Sequence, residues 1–375
     1  MLAVQTFFIF PGYASIAVRK RHKETGMFSH SVSGVLPQDV WAVGSYCCPG
    51  RSNTTISLIE HWNGAAWSII PRPSNEPTYT ELRGVAAISR NDVWAVGHGG
   101  VGNAYQGLTE HWDGTRWSVI PSPSGGSSLD AVAALSTNNV WAVGGLGGGV
   151  TEHWDGKRWS IIPGPVHIQN ADTLTSVSAV SANDIWAVGF YDNPNNNAYA
   201  QHWDGTRWSF VPVVNGSQFL ISDFRSVTAV SSNDVWAVGS KTPFNANSPQ
   251  LTLVEHWNGA RWSVVSSPNM GPQGHTNWLF GVTALSSTDL WAVGYWIPAG
   301  TGGGRSLFEH WNGKAWTTQP GPPALESPRN PREGNYLYGG ITAVGPGLLW
   351  AVGNQDPGQQ GVCCERTLIV GTTHG

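Results

Sequence analysis

Asp92-Val93-Trp94-Ala95-Val96-Gly97 contains one of seven copies of a Trp-Ala-Val-Gly stretch in a chain of 375 residues. The copies open at Trp41, Trp94, Trp141, Trp186, Trp236, Trp291 and Trp350. Successive copies lie 53, 47, 45, 50, 55 and 59 residues apart. Self-similarity at such a period indicates that one supersecondary unit is repeated along the chain.

Each repeat has the pattern of four short strands. Six copies carry a second signature after the first, as in Glu110-His111-Trp112, with another Trp five residues further on at Trp117. In this repeat the strands are predicted at 82–89, 93–98, 107–112 and 117–121. Val, Ile, Trp and Thr fill these runs, and Gly, Pro, Asn and Asp separate them.

Strands that are apolar on both sides are buried on both faces, and sheets stacked around a ring provide that burial. The sequence therefore predicts an all-β chain that forms a single seven-bladed β-propeller with four-stranded antiparallel blades. The propeller spans residues 28–375, and residues 1–27 form a separate N-terminal segment.

The seventh repeat lacks its fourth strand, because the chain ends shortly after a third strand near residues 366–370. Open sheet edges are usually covered. We expect the apolar stretch Phe7 to Pro11 to supply the missing strand and to complete the last blade. Two other interpretations of the segment stay open: a membrane anchor formed by residues 1–18, or a leader.

Composition narrows the possible partners. The formal charge is −4, and no basic cluster accompanies the repeats, so nucleic acid is not an expected partner. No phosphate loop, catalytic triad or metal-ligand spacing is present. We therefore expect no cofactor and no metal, and we expect a monomer.

The four cysteines form two adjacent pairs, Cys47-Cys48 and Cys363-Cys364. They lie in the second-to-third-strand connections of repeats one and seven, which become neighbours when the ring closes. We expect one or two disulfides between the first and last blades; a four-thiolate zinc site and free thiols remain alternatives. An even cysteine count in a chain poor in Lys favours an extracellular or cell-surface location.

The repeated Glu-His-Trp triplets invite a catalytic interpretation. A residue that occurs once per blade lies far from its equivalents, whereas a catalytic site needs converging groups. We therefore predict that each His bonds to the side chain two residues before the Trp of Trp-Ala-Val-Gly, and that the repeated Trp residues pack between blades. The predicted partners are Asp39, Asp92, Asp184, Asp234 and Asp289.

Function is expected on one face of the ring. Antiparallel strands place the second-to-third connections and the connections between blades at the same end, and both vary in length, as binding loops do. The candidate ligand-binding residues are those that do not repeat there: Tyr46, Tyr191, Asp192, Asn193, His275, Trp278, Trp296 and Arg305. A second candidate set lies near the mouth of the central channel: Glu81, Arg83, Asp130, Asp223 and Arg225.

The repeat resembles known propeller families. A Trp-Ala-Val-Gly strand followed by a Trp-rich hairpin, as in Glu60-His61-Trp62-Asn63-Gly64, most resembles bacterial propeller lectins and tectonin-type repeats. The turn from Asp113 to Trp117 is similar to the Asp-box turn of neuraminidase-like (BNR-like) and photosystem-assembly propellers. The resemblance covers about residues 28–371. It implies a fold rather than an activity, because propellers host many unrelated functions.

These observations predict a non-catalytic recognition module that binds a carbohydrate through its loop-rich face. A protein-interaction or structural scaffold is the alternative. A glycoside hydrolase or lyase at the channel mouth is a third interpretation, and it would need two carboxylates about 5–10 Å apart, from among Glu81, Asp130 and Asp223. A neuraminidase-like site would further need three convergent arginines, for which Arg83, Arg225 and Arg305 are the candidates.

Overall fold

The computed structural model describes residues 6–10, 13–19, 27–47, 55–101, 104–145, 148–165, 172–193, 195–214, 220–243, 248–271, 274–300, 303–321, 334–345, 348–356 and 366–374. Within these ranges the secondary structure consists of strands and turns, which confirms the predicted all-β class. None of the described segments forms an apolar helix of the length needed to cross a bilayer.

Six complete blades follow one another along the chain, and each is a four-stranded antiparallel sheet in sequential order. Blade 1 contains β3 (Met27–Leu36), β4 (Asp39–Cys47), β5 (Thr55–Trp62) and β6 (Trp67–Ile69). Blade 2 contains β7 (Tyr79–Ser89), β8 (Asp92–Val101), β9 (Ala104–Trp112) and β10 (Trp117–Ile120). Blade 3 contains β11 (Leu129–Ser136), β12 (Asn139–Gly144), β13 (Val150–Trp154) and β14 (Trp159–Ile161). Blade 4 contains β15 (Asp172–Ser181), β16 (Asp184–Asn193), β17 (Asn195–Trp203) and β18 (Trp208–Phe210). Blade 5 contains β19 (Ile221–Ser231), β20 (Asp234–Thr242), β21 (Leu251–Trp257) and β22 (Trp262–Val264). Blade 6 contains β23 (Thr276–Ser286), β24 (Asp289–Ile297), β25 (Arg305–Trp311) and β26 (Trp316–Thr318).

The seventh blade combines the two ends of the chain. Its strands are β27 (Gly334–Tyr336), β28 (Ile341–Ala343), β29 (Leu348–Asp356), β30 (Arg366–His374), β2 (Tyr13–Arg19) and β1 (Thr6–Phe10). The two short strands β27 and β28 both pair with β29, so together they take the place of one interrupted first strand. The sheet then continues from β29 through β30 and β2 to β1.

An N-terminal strand therefore completes the last blade, as predicted, but its position differs from the expected one. The strand that pairs with β30 is β2, whereas Phe7 to Phe10 belong to β1, which lies one position further out. The ladder between β2 and β30 has seven residue pairs, and β1 offers five residues for pairing. Pairing with β2 therefore gives β30 more backbone hydrogen bonds than pairing with β1 would give. The sequence of β1 resembles the fourth strands of the other blades more closely, but this local similarity did not decide the pairing.

In the described part of the chain, the repeated Trp residues join neighbouring blades at six of the seven interfaces, all except that between blades 6 and 7. The ring of Trp94, in the second strand of blade 2, lies 4.9 Å from that of Trp154 and 5.3 Å from that of Trp159, both in blade 3. Trp94 is almost fully buried, and an indole buries roughly 200 Å² in such a contact. This confirms the predicted packing between blades. The same three-ring contact recurs at Trp41 with Trp112 and Trp117, Trp141 with Trp203 and Trp208, Trp186 with Trp257 and Trp262, Trp236 with Trp311 and Trp316, and Trp350 with Trp62 and Trp67.

Serine side chains join the first strands around the channel. The Val85 amide of blade 2 donates to the Ser31 hydroxyl of blade 1 at 3.2 Å. The Val227 amide of blade 5 donates in the same way to Ser176 of blade 4 at 3.1 Å. These bonds link strands of different sheets, so they hold the innermost strands at a fixed spacing and define the width of the channel.

The two faces of the ring differ in their connections. One face carries tight turns, as at Asp113, whose carboxylate accepts hydrogen bonds from the amides of Thr115 and Arg116 at 2.8 and 2.9 Å. Gly114 completes this turn with a φ of 93°, a conformation that favours glycine. The other, loop-rich face carries the second-to-third connections and the connections between blades, as the sequence predicted.

The pairing of β2 with β30 leads to a prediction about truncation. Deletion of residues 1–11 removes β1 but leaves β2, and we expect it to lower the melting temperature only slightly. Deletion of residues 1–19 removes both strands and exposes the edge of β30, so we expect a much larger decrease. Thermal unfolding followed by circular dichroism distinguishes the two variants, and equal melting temperatures would rule out β2 as the strand that closes the ring.

Candidate functional site

The first strand of every complete blade contains a β-bulge at the same position. In blade 2, Leu82 pairs with Gly97 and Gly84 pairs with Val96, so Arg83 has no partner across the ladder. A bulge turns the extra side chain in a new direction, and bulges are common beside functional sites. The bulged residues of blades 1 to 6 are His30, Arg83, Asp130, Thr175, Arg225 and Phe280.

Blade 7 places Tyr338 at the equivalent position, between β27 and β28. We call these seven residues the bulge ring. Each is a different residue from its neighbours in the ring, whereas the strands around them repeat. The bulge ring is therefore a set of variable side chains presented by a constant scaffold.

The last residue of Trp-Ala-Val-Gly explains why the bulge recurs. A Cβ atom on Gly97 would lie 1.9 Å from the carbonyl oxygen of Glu81, a distance that no real Cβ contact allows. The same close approach, between 1.8 and 2.3 Å, occurs at all seven motif glycines. The motif glycine is thus the residue that lets the bulged first strand lie against the second.

All seven bulge-ring residues line one cavity of about 480 Å³ in the central channel. The channel-mouth residues chosen from the sequence are brought together there, since Glu81, Arg83, Asp130 and Arg225 all contribute to its wall. The bulges lie in the first half of the first strands, which begin at the loop-rich face. The cavity therefore lies toward that face.

Charged and hydrogen-bonding groups occupy the wall formed by blades 1 to 3. The Arg83 guanidinium bridges two carboxylates, because its Nη1 lies 3.1 Å from Oδ1 of Asp130 and its Nε lies 3.1 Å from Oε1 of Glu81. The Ser128 hydroxyl donates to Asp130 at 3.2 Å, and the Tyr79 hydroxyl donates to Glu81 at 3.4 Å. This network holds both carboxylates in place.

Burial and charge move the pKa values of this wall in different directions. Burial acts to raise the pKa of Glu81, but the nearby Arg83, His30 and His98 outweigh it and lower that pKa. Burial raises the pKa of Asp130, with Arg83 opposing the shift. Burial also lowers the pKa values of His30 and His98 below their ordinary value, so both imidazoles are uncharged at neutral pH.

Aromatic rings form the opposite wall, on blades 4, 6 and 7. The ring centroid of Phe280 lies 5.4 Å from that of Tyr338 and 5.5 Å from that of Tyr295. The Arg225 guanidinium lies 5.1 Å from the centroid of Phe190 and 5.8 Å from that of Phe280. This wall offers flat apolar surfaces with a single cation between two rings.

Two predicted residues support the aromatic wall from behind. Asp223 is buried and binds Nη2 of Arg225 at 2.6 Å, and it also accepts a hydrogen bond from the Ser240 hydroxyl at 2.8 Å. Trp278 packs against Tyr295, with ring centroids 4.7 Å apart. Asp223 therefore positions Arg225 on this wall, and Trp278 supports Tyr295, which stacks on the wall residue Phe280.

Three other predicted residues meet at a second cavity, in blade 6. The rings of His275 and Trp296 are stacked with centroids 5.4 Å apart, and the Arg305 guanidinium lies 5.9 Å from the Trp296 ring. Trp296 and Arg305 line a cavity of about 490 Å³. Because Arg305 lies here, Arg83, Arg225 and Arg305 do not line one pocket, and the three-arginine arrangement of a neuraminidase-like site does not form from these residues.

The remaining candidates occupy other surroundings. Tyr191 is half-buried and packs edge to face against Tyr199, at 6.4 Å, as part of the core between blades 3 and 4. Tyr46 is half-buried near the end of β4. Asp192 and Asn193 end β16, and their side chains lie outside the described part of the structure.

The predicted disulfides stay predictions. Cys48, Cys363 and Cys364 lie outside the described residues, and of Cys47 only the backbone, at the end of β4, is described.

The sequence interpretation missed several wall residues, namely His30, Thr175, Phe280 and Phe190. A usable signal for the bulge ring exists in the sequence. In each complete first strand a position that varies widely in size and charge is followed by a small residue (Gly, Ala or Ser) and then Val, as in Arg83-Gly84-Val85 and Phe280-Gly281-Val282. A position that varies inside a repeated frame marks a side chain that the fold itself does not require.

The repeated histidines form the predicted hydrogen bonds within their blades. Nε2 of His111 lies 2.8 Å from Oδ1 of Asp92, and Asn139 takes the carboxylate's place opposite His153 at 2.9 Å. The other pairs are His61 with Asp39, His202 with Asp184, His256 with Asp234 and His310 with Asp289. The structural interpretation of these triplets is therefore confirmed.

The glutamates of the same triplets join neighbouring blades. Glu309 of blade 6 has no exposed surface, and the Ser267 hydroxyl, in the connection from blade 5, donates to it at 2.6 Å. Burial raises the pKa of Glu309 to about 8. Burial likewise raises the pKa of Glu255 to about 7, although the Val214 amide donates to it at 3.1 Å. These carboxyl groups lie between sheets and away from the channel cavity.

Fold and repeat together define the chain as a seven-bladed β-propeller repeat protein. No family model matches it, and no curated protein matches it by sequence. Solved structures do match. A YCF48 bound to D1 peptide aligns with a TM-score of 0.60 at 13% identity, over 99% of this chain and 100% of that one.

Two other solved structures illustrate the range of matches. YCF48 from Cyanidioschyzon merolae aligns with a TM-score of 0.57 at 16% identity, over 96% of this chain and 98% of that one. An ulvan lyase bound to a GlcA-Rha3S saccharide aligns with a TM-score of 0.54 at 8% identity, over 93% and 95% of the two chains. At these identities the similarity establishes the propeller fold alone.

The close approach at Gly97 predicts a large effect of one methyl group. Gly97→Ala should lower the free energy of unfolding by about 2–3 kcal/mol, because the new Cβ collides with the backbone of the bulged strand. Gly125→Ala is the matched control, since no atom lies within 4 Å of its Cβ position. Urea unfolding of both variants tests the idea, and equal stabilities would contradict it.

The raised pKa of Glu309 predicts a loss of stability at alkaline pH. The unfolded chain releases this proton near the ordinary pKa of 4.5 and the folded protein near 8, so its contribution is complete below about pH 4.5 and is lost as pH rises to about 8. The free energy of unfolding of Glu309→Gln, relative to that of the wild type, should therefore be higher at about pH 9 than at about pH 5, by on the order of a few kcal/mol.

Gln201, which occupies the equivalent position in blade 4, supplies the control. Gln201→Glu should introduce an additional loss of stability at high pH, because residue 201 is equally buried. Melting temperatures measured across this pH range test both variants. An unchanged pH profile for Glu309→Gln would show that its carboxyl group is not protonated in the folded state.

Proposed function

We propose that this protein is a non-catalytic recognition module that binds a carbohydrate in the channel cavity, from the loop-rich face. The observation that carries the proposal is the division of the cavity wall. Hydrogen-bonding side chains lie on blades 1 to 3, and aromatic rings lie on blades 4, 6 and 7. A sugar ring presents hydroxyl groups at its edge and C–H groups on its faces, and such a wall complements both.

The size and asymmetry of the cavity support a small ligand bound once per molecule. A volume of about 480 Å³ falls within the range of roughly 300–1,000 Å³ typical of small-molecule sites. The bulge ring contains six residue types at its seven positions, with only arginine occurring twice, so the cavity has no sevenfold set of equivalent subsites. One saccharide segment per propeller is the expected stoichiometry.

The hydrogen-bonding wall is organised before a ligand arrives. Arg83 fixes Asp130 and Glu81, each of which keeps further lone pairs for acceptor contacts. A preorganised site loses less conformational entropy on binding. Fixed carboxylates can accept hydrogen bonds from the hydroxyl groups of a sugar.

Carbohydrate cleavage at the same cavity is the second candidate function. It is favoured by one observation, the opposite pKa shifts of Glu81 and Asp130, which are typical of an acid and base pair. Binding is the better supported function because both carboxylates contact the same guanidinium. Arg83 stabilises the charged form of each, whereas a general acid must hold its proton.

Tyr338 provides a test of carbohydrate binding. It is 40% exposed, lines the cavity and belongs to the aromatic wall. We expect a glycan array to identify a saccharide that binds the wild-type protein, and Tyr338→Ala to weaken that binding about tenfold, which corresponds to about 1.4 kcal/mol. Titration calorimetry measures the change in affinity.

Leu36→Ala is the matched control, because Leu36 is a similarly exposed apolar residue, at 43%, on the face with tight turns. It should leave the affinity unchanged. An array without any bound glycan would overturn the proposal in favour of a protein partner. Appearance of shorter saccharides during incubation, abolished in Glu81→Gln, would replace it with the catalytic candidate.

A further inference from the structure

The charges around the channel cavity do not balance. Among the described residues on its wall or bonded to that wall, Glu81, Asp130 and Asp223 contribute three negative charges. Arg83 and Arg225 contribute two positive charges, and both are already paired with these carboxylates. One negative charge is left over, and a ligand with one positive charge would neutralise it.

The histidines do not supply that charge. Burial lowers the pKa values of His30 and His98, so both are uncharged at neutral pH. Nε2 of His30 is buried and makes no hydrogen bond, although Oε1 of Glu81 lies only 3.5 Å away. Buried polar atoms without a partner are uncommon in native proteins. Glu81 itself lines the cavity, so a ligand N–H group can donate a hydrogen bond to its carboxylate there.

Aromatic residues lie on one side of the same carboxylate, since Nε2 of His98 is 4.0 Å from Oε2 of Glu81 and the Tyr79 hydroxyl donates to that oxygen. The rings of Tyr79, His98 and Tyr105 lie 5.6 to 5.7 Å apart, next to Glu81. Tyr105, on the third strand of blade 2, is 53% exposed, so its ring is accessible from solvent. Aromatic faces attract cations, and a neighbouring carboxylate strengthens the preference for a positively charged group.

From the excess negative charge, the Glu81 carboxylate on the cavity wall and the aromatic residues beside that carboxylate, we propose that the saccharide bound in the channel cavity carries a protonated amino group, as an oligosaccharide of de-N-acetylated hexosamine does. This inference rests on the proposed function and narrows its ligand class. The ammonium group would lie near Glu81 and donate a hydrogen bond to its carboxylate. The sugar ring would extend toward Phe280 and Tyr338.

A pair of oligosaccharides that differ only in N-acetylation tests the inference. We expect a chitosan hexamer to bind at least about tenfold more tightly than the fully acetylated chitin hexamer, in calorimetric titrations near neutral pH, where His30 and His98 are uncharged. Added salt should weaken the binding of the chitosan hexamer more than that of the chitin hexamer.

Two variants separate a specific site from general attraction to an acidic protein. Asp130→Asn should reduce the preference for the amino sugar, because it removes the excess charge. Asp204→Asn removes the same net charge from an exposed turn on the opposite face and should leave the preference unchanged. This turn accepts asparagine, which already occupies the equivalent position in three other blades: Asn63, Asn258 and Asn312.

A third variant should act in the opposite direction. Arg83→Gln increases the excess negative charge, so it should strengthen binding of the chitosan hexamer, provided that circular dichroism shows an unchanged fold. Equal or tighter binding of the acetylated hexamer would overturn the inference and leave the proposed carbohydrate binding intact. An equal loss in Asp130→Asn and Asp204→Asn would also overturn it. Failure of every glycan on the array to bind would overturn both proposals.

Discussion

The close approach of two backbone segments within each blade is the constraint on which the rest of the structure depends. The first strand bulges toward the second, and its carbonyl oxygen reaches the position that a side chain at the motif glycine would occupy, as at Gly97. Only glycine leaves room for this oxygen. The bulge in turn directs one side chain per blade into the channel, so the Trp-Ala-Val-Gly motif shapes the site without contributing a side chain to it.

Repeated and variable residues have separate tasks in this fold. The repeated Trp residues pack between blades, the His residues bond within blades, and the buried Glu residues join one blade to a connection from its neighbour. These contacts recur around the ring, so they hold it together at every interface that they occupy. The variable residues are then not needed for the fold, and they can differ in charge, size and polarity.

The channel cavity shows how this separation produces a binding surface. Its wall passes from imidazole and carboxylate groups to phenyl and phenol rings within one circle of neighbouring strands. Each arginine of the wall is paired with a carboxylate, so these salt bridges keep the net charge of the wall small. The same inner strands are linked by serine hydroxyls, which keeps the wall in place.

The repeat pattern was enough to predict the number of blades, their four-stranded plan, the structural role of the Glu-His-Trp triplets and the face on which function is expected. Periodicity carries this information, because each repeat must bury the same surface against its neighbours. Part of the site was also predictable, since Glu81, Arg83, Asp130 and Arg225 stand out as charged residues at the starts of first strands.

The tertiary structure alone decided how these residues combine. It brought His30 and Tyr338 to the same cavity from opposite ends of the chain, and it separated Arg305 from Arg225 by placing it in blade 6 beside Trp296. It also chose β2 over β1 as the strand that closes the ring. The physical reason is that strand pattern is a local property, whereas ring closure and the direction of a bulged side chain depend on contacts between residues far apart in the chain.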